Sequence, residues 1–107
     1  MESRWKKGAE DGLESLEDEL KGWRTRLDEL RVQAHLGHLE LRDKLAELGE
    51  RLEPAREKAE TRLAALAKSG TSEARILASS LRSGWQEVRR SHAELVEEAR
   101  RRERQAR

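Results

Sequence analysis

The chain lacks several residue types that most globular domains use to build a core. Of its 107 residues, none is Cys, Phe or Tyr, one is Pro and three are Trp. Hydrophobic residues make up 35% and charged residues 42%, whereas a typical globular domain is close to half apolar and about a quarter charged. Few large side chains are available to fill a broad core, so this composition favours thin seams between helices.

Other absences exclude classes of function. A chain without Cys forms no disulfide and has no thiolate chemistry. No apolar run is long enough to span a bilayer and no secretory signal is present, so we expect a soluble cytoplasmic protein. The sequence also has no Gly-rich phosphate loop, dinucleotide fingerprint or nucleophile elbow. We therefore expect no enzymatic activity and no cofactor.

An apolar seam runs along almost the whole chain in steps of three and four residues, which places its members on one face of a helix. Disorder is the competing interpretation for so charged a chain, but an unfolded chain requires no such period. The residues predicted to form this interaction seam are Leu13, Leu16, Leu20, Trp23, Leu27, Leu30, Leu45, Leu48, Leu52, Leu63, Leu66, Leu77, Leu81, Trp85, Val88 and Leu95.

Capping signals mark where the first helix begins. We predict a flexible lead-in over residues 1–10 and a single helical domain over residues 11–107. Asp11 and Glu14 have the spacing of a capping box, in which each side chain satisfies a free backbone N–H at a helix start. The first helix is therefore predicted over about residues 11–68.

The strongest break in the sequence is a Ser-Gly-Thr-Ser stretch that predicts a turn over residues 69–72. Gly70 can adopt the left-handed conformation that ends a helix. Either Thr71 or Ser72 can cap the next helix, which is predicted over about residues 72–104.

Two weaker break signals lie inside the predicted first helix. Pro54 removes one backbone donor and crowds the preceding turn. Apolar spacing continues through Pro54, so we predict a kink there, and Gly49 makes the helix more flexible nearby. Gly37 ranks below Pro54 as a break, because no polar turn residues surround it.

The predicted fold is all-α: an extended helical hairpin, or antiparallel coiled coil, with a long first helix that is kinked near residue 54. A three-helix, spectrin-like bundle is the alternative, suggested by the chain length and by Trp23 and Trp85 on the seam, and it requires a turn near Gly37. Each of these Trp residues also has a Gly just before it, which lets a neighbouring helix approach or leaves room for the indole.

The hairpin leaves part of the seam without a partner. A second helix of the predicted length covers only the C-terminal half of the first helix, so the seam from Leu13 to Leu30 would be exposed. This predicts self-association as a homodimer or higher homo-oligomer, or binding of a partner helix. The predicted function is a non-enzymatic structural or scaffolding module.

Binding to a lipid surface is the alternative function. Gly37, Leu48, Ala59, Gly70, Leu81 and His92 follow an eleven-residue repeat. Residues 48–66, with their helix-breaking Pro, look like the amphipathic helices of exchangeable apolipoproteins. The apolar stripe is narrow and has no Phe, which favours a partner helix over a membrane surface.

Nucleic-acid binding is a third interpretation, and a metal site a fourth. The Arg-rich C-terminus could contact phosphates, but four Glu residues interrupt it and the pI is about 8.2, below the usual range of about 9 or more for nucleic-acid readers. The favoured interpretation is a solvated helix face on which neighbouring Glu and Arg side chains form ion pairs with each other. His35 and His38 share a helix face but have no further ligand motif, so no metal site is predicted.

The order of Trp and Leu along the chain is a further clue to its class. The relevant features are Trp23 with Leu27-Asp28-Glu29-Leu30, the charged Leu-rich stretches 45–59 and 63–68, and Trp85 in a helix after a Ser-Gly turn. Over about residues 20–99 the chain thereby resembles a group of small, uncharacterised bacterial coiled-coil proteins. It departs from their pattern at Pro54 and at Ile76-Leu77. The resemblance implies a helical hairpin and no known activity.

Overall fold

The computed structural model describes the backbone of residues 3–105 and the side chains of residues 12–105. Within that part of the chain the fold is all-α, as predicted, with no strand. Its helices are α1 (Ser3–Leu36), α2 (Leu41–Lys68) and α3 (Ser72–Gln105). They pack side by side into a rod with extents of 64 × 19 × 17 Å. This is the three-helix alternative, whereas the single long helix predicted over residues 11–68 is wrong.

The first helix ends at a glycine turn that needs no polar side chain. Gly37 has a φ of 76°, and its N–H donates to the carbonyl oxygen of Ala34 at 3.2 Å. The N–H of His38 reaches back to the carbonyl oxygen of Gln33, also at 3.2 Å. This pair of bonds is a Schellman motif, which satisfies the last helical carbonyls with backbone donors alone. Residues 37–40 therefore reverse the chain without the Asn, Asp or Ser expected of a turn.

The start of α1 also differs from the prediction. The helix begins at Ser3, so Asp11 is an interior helical residue and does not cap the N-terminus. The predicted lead-in over residues 1–10 is wrong from residue 3 onward, and residues 1–2 lie outside the described chain. Residues 3–10 contain Lys, Arg, Glu and Ala, which are strong helix formers and allow α1 to extend towards the N-terminus.

Pro54 lies within a continuous helix. The α-helix α2 runs through it from Leu41 to Lys68. Proline removes the N–H that would bond to the carbonyl of Glu50. Both Pro54 and Glu50 are exposed, so water can hydrate the free carbonyl, and Leu52 and Ala55 on the other face stay in the core.

The second turn matches the prediction. Gly70 has a φ of 84°, and the N–H of Ala74 donates to Oγ1 of Thr71 at 3.2 Å. Thr71 is thus the residue that caps α3. Ser69 also donates from its hydroxyl to the carbonyl of Leu66 at 2.7 Å, so side chains fix both sides of this turn.

Two turns in succession make α1 and α3 parallel. Two ion pairs join these helices in the same register: Arg24 lies 3.3 Å from Glu87, and Arg31, seven residues later, lies 4.0 Å from Glu94. Both pairs are more than half exposed, so each contributes little to stability. Their shared heptad spacing nonetheless matches the register in which α1 and α3 pack.

Candidate interaction surfaces

The predicted interaction seam forms the core of the bundle. Thirteen of its sixteen members are at most 7% exposed, and Leu13 and Leu66 are partly buried against them. No charged or polar side chain is buried with them among residues 12–105. The thirteen are Leu16, Leu20, Trp23, Leu27, Leu30, Leu45, Leu48, Leu52, Leu63, Leu81, Trp85, Val88 and Leu95.

Leu77 is the seam residue that was wrongly assigned. It is 40% exposed, and Ala78 takes its place in the core at 2%. The heptad spacing of α3 runs through Ala74, Ala78, Leu81 and Trp85 in steps of four and three. The prediction was wrong because it took Leu77, the larger apolar residue, although Ala78 is the residue in register.

The seam of α1 has partners within the chain, so its predicted exposure is wrong. Leu20 packs against α3 at Gly84, where an added Cβ would lie 2.5 Å from Cδ2 of Leu20. Gly84 therefore admits a neighbouring helix, as the sequence predicted. Gly22 has nothing within 4 Å of the equivalent position, so its place before Trp23 has no such role. The prediction of a homo-oligomer loses the argument on which it rested.

Two polar groups lie close to the seam: the partly buried imidazole of His92 and the buried indole N–H of Trp85. Nε2 of His92 lies 3.1 Å from the carbonyl oxygen of Leu45, and the absence of a side chain at Gly49 leaves room for the imidazole. The indole Nε1 of Trp85 is buried without a hydrogen-bond partner. His92 thus joins α3 to α2, while the Trp85 N–H weakens the core at its site.

Two Arg residues at the C-terminal end of α3 pair with nearby groups. Arg102 donates to the carbonyl of Ala34 and lies 3.4 Å from Glu98. Arg104 lies 3.5 Å from Glu97, and Glu103 pairs across the bundle with Arg42 at 2.6 Å. These contacts use charges that a phosphate backbone would otherwise attract. The other Arg residues that could contact phosphates are Arg89, Arg90, Arg100 and Arg101, which are exposed, and Arg107, which lies outside the described residues.

Ion pairs also cover the outer face of α2. Arg56 lies 3.1 Å from Glu53 and 2.9 Å from Glu60. The hydrogen bond and charge of Glu53, together with Glu60, raise the pKa of Arg56 above its ordinary value. Because Arg is charged throughout the physiological pH range in any case, this shift has no effect on binding or catalysis there.

No metal cluster forms among the described side chains. His35 and His38 are both exposed, and no group of three or more His, Asp or Glu residues converges there. Within residues 3–105, no helix is long and apolar enough to cross a membrane.

The largest exposed apolar side chains lie at the two ends of the rod. Val32, Leu36 and Leu39, named here the apolar tip, lie at the α1–α2 turn and are 60%, 71% and 98% exposed. At the other end Ile76 is 68% exposed. The tip was not predicted from the sequence because its three residues are off the seam, although they are spaced four and three residues apart.

No family model, curated protein or solved structure matches the chain.

Proposed function

We propose that this chain is a non-enzymatic structural module that self-associates by exchanging α1 between two copies. In the exchanged dimer the 37–40 turn straightens and joins α1 to α2 in one long helix. The α1 helix of each copy then packs into the seam of the other. Exchange of an identical element reforms every helix contact, so it is a low-cost route to a dimer.

The observation that supports this proposal is the register of the seam across the turn. Ala34 and Leu41, the buried residues that flank the turn, are seven residues apart, and Leu30 and Leu45 follow at steps of four. If the turn became helical, these side chains would still form one stripe. The straight form therefore needs no repacking of the core.

The first turn is also held less firmly than the second. Glu40, at the start of α2, makes no side-chain capping bond, and Leu39 is almost fully exposed. In a straight helix the first N–H groups of α2 would bond to carbonyls of the preceding turn. Thr71 and Ser69 already provide side-chain bonds at the other turn, so exchange is favoured at residues 37–40.

If the 37–40 turn straightened and released α1, a similar helix of a partner protein could also pack in its place against α2 and α3. A second copy of this chain is favoured, because its α1 fits the seam of α2 and α3 by identity. The pairing of Arg102 and Arg104 with acidic neighbours gives no support to nucleic-acid binding as the function.

The test is the substitution Gly37→Ala. The left-handed backbone conformation costs Ala roughly 1–2 kcal/mol. In a helix, Ala is more stable than Gly by about 1 kcal/mol. Both effects favour the straight form. Light scattering on a size-exclusion column, over a concentration series, should show the dimerisation constant rising at least about tenfold.

Gly70→Ala is the matched control. It introduces the same strain at a φ of 84°, but Ser69 and Thr71 disfavour a continuous helix. This variant should lose stability and stay monomeric. If Gly37→Ala is also a less stable monomer, the exchange proposal is wrong.

A further inference from the structure

We infer that the apolar tip docks on an anionic lipid surface while the bundle remains closed. The tip presents three aliphatic side chains to solvent, and Leu39 at 98% exposed is covered by nothing in the described chain. By contrast, the core seam is already buried. The tip is thus the apolar surface that is available without unfolding any helix.

The charges around the tip fit an anionic partner. Residues 31–44 and 98–105, which surround the tip end of the rod, contain seven Lys or Arg and four Asp or Glu, a net charge of +3. Arg42, Arg102 and Arg104 are already in ion pairs, whereas Arg100 and Arg101 are exposed and are in none of the ion pairs described above. At the opposite end, residues 3–20 and 60–76 contain six bases and eight acids, a net charge of −2. The field of the rod therefore directs its tip, and not its other end, towards a negative surface.

The size of the tip favours a lipid surface over a folded protein partner. The tip has three exposed aliphatic side chains, whereas a stable protein interface uses about 20–30 residues on each partner. A few aliphatic side chains and a ring of bases are sufficient for reversible attachment to a bilayer surface.

This mode differs from the apolipoprotein-like one, in which a helix lays its seam on lipid. Here Trp23 and Trp85 stay in the core and the rod stands on its end. The tip exists only while residues 37–40 form a turn, so docking belongs to the monomer and does not depend on helix exchange.

The experiment is sedimentation of monomeric protein with vesicles. One vesicle contains equal amounts of phosphatidylcholine and phosphatidylglycerol, and the other contains phosphatidylcholine alone. Leu39→Ser is compared with Ile76→Ser, which makes the corresponding change at an exposed aliphatic residue of the opposite end. Circular dichroism checks that both variants remain helical.

The wild type should bind the mixed vesicle, and Leu39→Ser should weaken that binding at least about tenfold, while Ile76→Ser leaves it unchanged. Quenching of Trp fluorescence by brominated acyl chains in the vesicle should not rise on binding. The inference is overturned if the mixed vesicle is not bound, if both variants bind equally, or if both vesicles bind alike. A rise in quenching would also overturn it, because the seam would then have opened onto lipid.

Discussion

Gly84 of α3 packs directly against the side chain of Leu20 of α1. A Cβ at Gly84 would lie 2.5 Å from Cδ2 of Leu20, a side chain that is itself 6% exposed. Gly22 stands before Trp23 as Gly84 stands before Trp85, yet it faces open space. The two positions look alike in the sequence and differ in the bundle.

This difference predicts opposite effects of alanine. Gly84→Ala should lower the free energy of unfolding by roughly 1–2 kcal/mol, because overpacking exceeds the gain in helix propensity. Gly22→Ala should raise it by about 0.5–1 kcal/mol, since only the propensity changes. Urea unfolding followed by circular dichroism measures both. Equal changes in the two variants would show that α1 does not pack on α3 at Gly84.

Pro54→Ala should stabilise the bundle by about 1–3 kcal/mol. The change restores the N–H that can bond to the carbonyl of Glu50 and removes the steric conflict of the ring inside α2. Because Pro54 is exposed, no core contact is lost. Thermal unfolding provides the measurement. A variant that is less stable than the wild type would mean that Pro54 ends a helix.

His92→Ala should destabilise the bundle by about 1 kcal/mol, because it removes the contact of Nε2 with the carbonyl of Leu45. His35→Ala is the control: His35 is exposed near the end of α1, and its loss should change stability by less than about 0.5 kcal/mol. Urea midpoints at neutral pH compare the two variants. A similar loss in both would contradict the α2–α3 contact at His92.

Most of the core could be predicted from the sequence. Residues such as Leu16, Leu63 and Val88 repeat at helical spacing and are among the most deeply buried side chains. Periodicity succeeds here because burial of one stripe is the main source of helix stability in so polar a chain. The cap at Thr71 was also readable, since its hydroxyl satisfies a specific backbone donor.

The turn at Gly37 could not be ranked correctly from the same signals. Seam spacing continues across it, so periodicity gives no sign of a reversal, and its bonds join backbone atoms of Gln33, Ala34 and His38. A single Gly is sufficient for that motif. Pro54 attracted attention as a break, but its exposed position lets water replace the missing bond. Ranking Pro54 above Gly37 as a break predicts a hairpin, whereas a turn at Gly37 gives the three-helix bundle.

The tip and the identity of any partner were beyond the sequence for a related reason. Leu36 and Leu39 become one exposed end only after the chain has turned at Gly37. Similarly, the exposure predicted for the seam from Leu13 to Leu30 depended on the helix being straight. The self-association proposed above therefore rests on exchange at the turn and remains a prediction.

The most direct test of the bundle is the distance between residues 24 and 87 within one molecule. Arg24 and Glu87 are exposed and form an ion pair at 3.3 Å, and the chain has no native Cys. Spin labels can therefore be attached at Arg24→Cys and Glu87→Cys without side reactions. The measurement uses the monomer fraction from a size-exclusion column, because the exchanged dimer proposed above would itself separate the two labels. Pulsed electron resonance should give about 20 Å or less, since packed helices lie roughly 8–10 Å apart. A distance of roughly 40 Å, which a straight helix through Gly37 would impose at about 1.5 Å per residue, would contradict the closed bundle.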